Sequence, residues 1–254
     1  MSSAAAYEIP KILTLNAGLK PSSVPTDDVL IKHAQDILQA SASWQEGKTY
    51  QNIKTFVWEE RPKTTKKSHR WYCLVARIKK DDISFDKMWS KVGRNQVWHQ
   101  KSHLPSIAKA TRIQYISETY SIWNMLVTLP PPLSPRVYTL CQASSLLEYS
   151  HNRRGIVVTL PIDLGSRSTE ELAVVEDRGI RGRCVSIEHI LEIDGGFFEW
   201  RKVACRDPGG MIPKFWAQKH MAHEMAEESI SFLDWIGKSD GEDGHDSEED
   251  ISGG

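Results

Sequence analysis

A run free of glycine and proline from Lys214 to Ile236 constrains this chain more than any other feature. It follows Asp207-Pro208-Gly209-Gly210-Met211-Ile212-Pro213, and Gly237 comes directly after its last apolar residue. Proline is at home in a first helical turn, where its missing N–H has no partner to lose, and glycine commonly stops a helix. At about 100° per residue, Phe215, Gln218, Ala222, Met225, Ala226, Ser229, Phe232, Leu233 and Ile236 share one side. His220, His223, Glu224, Glu227, Ser231 and Asp234 take the other. The spacing predicts a long amphipathic helix whose wide apolar stripe has to be covered. Immediately upstream lies the clearest strand pair, 179–192 and 197–206, joined by Asp194-Gly195-Gly196. Those glycines supply the positive φ that a tight hairpin turn needs. The expectation is a helix that closes over a curved sheet, with a binding space between them.

The rest of the chain supplies more strands. Residues 70–79 place Trp71, Cys73, Val75 and Arg77 on one face and Tyr72, Leu74, Ala76 and Ile78 on the other. With both faces mostly apolar, the strand is covered on both sides or lines a cavity on one. Further strands are expected at 53–59, 111–118, 119–129, 136–143 and 155–162, with a turn at 146–152 and a polar loop at 163–171. Helices are expected from Thr26 to about Ser43 and from Ser84, a capping residue, to Val92. Gly47 reads as the end of the first helical region, 61–67 as a basic turn, and 96–107 is ambiguous. The domain is expected to span 26–236, preceded by an N-terminal arm (1–25) and followed by a disordered acidic tail (237–254) with too little apolar surface to offset ordering entropy.

Composition bears mainly on what to exclude. A net charge of −1 provides no field for nucleic acid. Cys73, Cys141, Cys184 and Cys205 lack metal or redox spacing and sit among apolar residues, which suits reduced thiols in a cytoplasmic setting. No apolar run reaches a membrane span, so any membrane contact is expected to be transient. The common glycine-rich nucleotide cradles and the serine elbow are absent, so no cofactor is expected. His99 and His103 lack a third ligand, and the ladder His220, His223, Glu224, Glu227 faces away from the apolar stripe, so no metal site is expected either.

Several segments resemble a known family when taken in order. They are Ser84-Phe85-Asp86-Lys87-Met88-Trp89, the stretch Leu129 to Tyr138 with Pro130, Pro131, Pro132, Pro135 and Arg136, then Val185 to Glu188, Glu199-Trp200, Asp207 to Pro213, and Phe232 to Trp235. Together they resemble a fungal START-like (helix-grip, SRPBCC) family known mainly as a domain of unknown function. The resemblance implies an α+β fold, a curved antiparallel sheet wrapped around the C-terminal helix, and an apolar cavity between them. It implies a hydrophobic small molecule or lipid as guest. Its walls would come from Trp123, Met125, Ile187, Phe198, Trp200, Phe215, Met225 and Phe232. Arg77 or Arg136 would anchor a ligand oxygen, although Arg136 also suits a role in orienting the proline turn. A second expectation is a cyclase or isomerase of fungal secondary metabolism using the same cavity, with His189, Glu188, Glu199 and Arg77 as the ionisable candidates. A third, an interaction scaffold with a peptide groove, has no residue that specifies a partner.

Overall fold

The computed structural model describes residues 9–15, 18–60, 69–148, 152–165, 169–212 and 214–239. The expected basic turn at 61–67, the first-turn Pro213 and the acidic tail from residue 240 onward lie outside the described residues. The elements run α1 (Asp27–Ser41), β1 (Gln45–Tyr50), β2 (Ile53–Glu60), β3 (His69–Lys79), α2 (Phe85–Val92), α3 (Gln96–His103), β4 (Ile107–Ser117) and β5 (Tyr120–Val127). They continue with β6 (Arg136–Glu148), β7 (Arg153–Pro161), α4 (Glu170–Ala173), β8 (Ile180–Arg181), β9 (Arg183–Ile193), β10 (Phe197–Asp207) and α5 (Lys214–Lys238).

Hydrogen bonding joins these strands into one curved antiparallel sheet in the order β1-β2-β3-β10-β9-β7-β6-β5-β4, and β8 adds a short parallel pairing to β6. The hairpin glycines hold β9 against β10, with Gly195 at φ 82° and Gly196 at φ 77°. Register then fixes the faces. Leu74, Lys202, Glu188, Val157 and Ser144 form one row across β3, β10, β9, β7 and β6. On this face Leu74, Val157, Phe198 and Trp200 pack with α2 and with Met221, Met225, Ala226, Phe232 and Ile236 of α5. On the opposite face Trp71, Cys73, Val158, Val185, Ile187 and Val203 pack under α1, together with Ile9, Leu13 and Leu15 from the N-terminal arm. The two apolar faces of β3 are thus explained by a helix layer on each side of the sheet.

Some elements depart from the sequence reading. Gly47 does not end a helical region but lies inside β1, an edge strand with five exposed positions. A Cβ at Gly47 would stand 2.7 Å from Thr55 Oγ1, so glycine permits the close pairing with β2. Strand β6 continues through Glu148, where a turn was expected, because Leu146, Leu147 and Glu148 pair with Gly155, Arg154 and Arg153. The ambiguous stretch resolves into α3. Ser84 caps α2 by accepting the Lys87 N–H at 3.1 Å.

Candidate functional site

Helix α5 is strapped to the sheet by polar as well as apolar contacts. Tyr72 Oη donates to the Gln218 carbonyl at 2.7 Å. Arg206 on β10 donates from both Nη atoms to the two carboxylate oxygens of Glu228, each at 2.7 Å. Burial opposes ionisation of Glu228, but the Arg206 guanidinium outweighs it and holds the carboxyl below its ordinary range.

Beneath the helix the sheet carries a second pair, and this one is buried. Glu188 and Lys202 are cross-strand partners, 2 % and 6 % exposed, with Nζ 3.3 Å from Oε1. Trp200 Nε1 donates to Glu188 Oε2 at 3.0 Å and Gln96 Nε2 to Oε1 at 2.5 Å. Gln142 Nε2 in turn donates to Gln96 Oε1 at 2.6 Å. Every acceptor atom of the carboxylate is thereby engaged, as a buried charge requires. His103 closes the far side, its ring 5.3 Å from Phe232 and 5.5 Å from Trp235. Burial pushes the His103 pKa down, which favours the neutral ring. The space left among Gln96, His103, Glu188, Trp200, Lys202 and Phe232 is about 20 Å³. That is room for about one water molecule. Where a guest-sized hollow between the sheet and α5 is expected, the described side chains and this polar network leave only that small space at this point.

The larger opening lies where α5 begins. A cleft of about 480 Å³ is bounded by the β5–β6 loop (Pro132, Leu133, Ser134), Ile180 of β8, the β10–α5 loop (Gly210, Met211, Ile212) and Phe215. Arg136, at the start of β6, also lines it. Met211 is 96 % and Phe215 74 % exposed, so both stand at the rim. The β10–α5 loop approaches β8 closely because it carries Gly209 and Gly210, at φ 65° and 67°. A Cβ on Gly209 would collide with the Arg181 carbonyl oxygen.

The expected wall residues therefore separate. Phe215 and Arg136 line the cleft, and Trp200 and Phe232 line the small polar cavity. Phe198 and Met225 are consumed by the core under α5. Trp123 and Met125 pack with Val97 and Trp98 of α3 in a separate cluster. Ile187 is a correction: it faces α1, because alternation shows which β9 residues share a face but not which face meets α5. His189 has the same parity as Ile187. Burial, then the charges of Arg154 and Arg201, hold its pKa at about 4. Glu199 accepts from Arg201, whose Nη1 also reaches Ser41 Oγ of α1 at 3.0 Å. Arg77 is exposed, opposite Glu199 in register, which corrects its expected role as an anchor inside a cavity. Glu188 is the one ionisable candidate that reaches the α5 side, and its partners occupy it. Sequence reading missed Leu133, Ile180, Met211 and Ile212 as wall residues. The signal for three of them was present, since they belong to the proline-arginine and Asp-Pro-Gly-Gly segments.

Among the described residues no helix is long and apolar enough to cross a membrane. Comparison with solved structures gives human StAR-related lipid transfer protein 5 at a TM-score of 0.64 and 9% identity, covering 83% of this chain and 94% of that one. The human StarD13 (DLC2) lipid transfer and protein localization domain aligns at 0.58 and 11%, covering 83% and 97%. Human STARD10 aligns at 0.57 and 12%, covering 84% and 80%. At such identities the likeness is one of fold: this is a START-like α+β helix-grip structure. No curated protein matches the sequence. A family model does match, over residues 67–236, and the chain belongs to that family, described as protein of unknown function (DUF3074).

Proposed function

We propose that the chain binds a lipid or other hydrophobic small molecule in the cleft at the start of α5. The observation that carries this reading is the apolar opening of about 480 Å³ between the proline loop and the β10–α5 loop. Ligand sites commonly span about 300–1,000 Å³ and combine apolar walls with a few polar groups. The names of the structural neighbours describe lipid-transfer proteins, which supports the same class of guest. Met211 and Phe215 at the rim suit loading from a lipid surface by brief contact. Among the described residues that line the cleft the one ionisable side chain is the Arg136 guanidinium, which is no general base, and this favours binding over a cyclase or isomerase reaction.

The test is titration with a neutral solvatochromic dye such as Nile red. Saturable binding is expected, weakened at least about tenfold by Leu133→Asp or Ile180→Asp, since each places a charge against an apolar guest. Absence of saturable binding, or binding indifferent to both substitutions, overturns the reading.

A further inference from the structure

Arg136 is 2 % exposed and lines the cleft. Its Nη1 donates to the Ser134 carbonyl, which fastens the proline loop. Its Nε is buried and has no hydrogen-bond partner. Among the described residues no carboxylate forms an ion pair with it, whereas the partly buried Arg206 and the buried Lys202 under α5 are each paired with a glutamate. Carboxylates on adjoining segments have other partners, Asp177 among them through Lys109. Glu176 and Asp163 bind Arg181, Glu228 binds Arg206, and Asp207 Oδ1 accepts the Gly209 N–H. Nη2 lies 3.5 Å from where a Cβ on Gly210 would stand, so the glycine keeps this edge of the guanidinium clear of side chain. Helix α5 starts at the same cleft and carries no acidic residue in its first turn, and the positive end of a helix dipole favours an anion.

A buried cation satisfied by a single carbonyl is costly, and the cost is relieved by an anion. We propose that the cleft takes an amphiphile with an aliphatic body and an anionic head, a carboxylate or a phosphate, and that Arg136 holds the head. The proposal rests on the cleft being the ligand site. The head oxygens accept from the Nε–H and Nη2–H edge, the geometry in which arginine recognises both anions. The chain lies along Leu133, Ile180 and Ile212.

The test compares dodecanoate, dodecyl phosphate, dodecanol and inorganic phosphate as competitors of Nile red on the wild-type protein at neutral pH. Dodecanoate or dodecyl phosphate is expected to bind at least about tenfold more tightly than dodecanol, the gain of a charge-assisted hydrogen bond. Inorganic phosphate alone is expected not to compete. Arg136→Met is expected to abolish the preference of the anionic compounds over dodecanol, each compared on the same variant. Equal affinity for acid and alcohol overturns the anionic head but leaves the apolar site standing. Competition by inorganic phosphate overturns the amphiphile in favour of a simple anion site. Failure of all three chain compounds to compete removes the cleft reading itself. The wild-type comparison stands whether or not the Arg136 variant folds.

Discussion

At the scale of single residues the sheet holds charges in two different ways. Glu188 and Lys202 are buried and mutually compensated under α5. Removing one partner strands the other, which costs about 3–5 kcal/mol. Lys202→Met is therefore expected to lower unfolding free energy by about that amount in urea titrations, and Glu188→Gln with Lys202→Met together to recover much of it. His189 is held differently, as a neutral ring near Arg154 and Arg201 with its pKa at about 4. The unfolded chain takes up its proton near pH 6.5, the ordinary histidine value. Below that the unfolded state binds more protons than the folded one, so stability falls as pH drops from about 6.5 towards 4. His189→Leu is expected to reduce the slope of the stability profile in that window, with His103, also pushed down by burial, supplying a remainder of the same sign. A slope that the substitution leaves unchanged would assign the effect to other groups.

At the scale of elements, two turns with similar backbone angles predict losses of different size. Gly196 has φ 77° but nothing within 4 Å of the place a Cβ would take, so Gly196→Ala meets only the left-handed backbone cost of about 1–2 kcal/mol. Gly209 has φ 65° and the Arg181 carbonyl inside contact distance of that place, so Gly209→Ala adds a backbone collision to the same cost. It is expected to destabilise clearly more than Gly196→Ala in denaturant melts and to disturb the cleft as well. These elements also mark what the sequence could and could not disclose. β3 was legible as a strand apolar on both faces, and β9 and β10 through the Asp194-Gly195-Gly196 turn that joins them. The polar edge strand β1 was not, since Glu46, Gly47 and Lys48 carry no apolar period. Register, set by pairing with distant strands, decided that Ile187 faces α1 while Glu188 faces α5. The cleft was legible only as two unusual loops. Their meeting depends on β8 and on the path of the chain between them.

At the scale of the whole molecule, the sheet separates two helix layers that answer to different segments. The α1 layer is closed by the N-terminal arm, and the α5 layer ends in the cleft. A guest in the cleft touches the β5–β6 loop, β8, the β10–α5 loop and the first turn of α5, and nothing in the α1 layer. Local opening of those loops is resisted by few buried contacts, whereas opening of the central strands approaches global unfolding. Occupancy is therefore expected to slow hydrogen exchange at 130–136, 179–182 and 208–218 and to leave α1 and β1 unchanged. At a concentration about 100 times Kd the folded state gains about 2.7 kcal/mol. For a chain of this size that raises Tm by about 5–10 °C. Protection centred under Trp200 and Phe232 would place the guest beneath the middle of α5 instead. That position requires the Glu188–Lys202 network to come apart, and the Lys202→Met variant would then change affinity as well as stability.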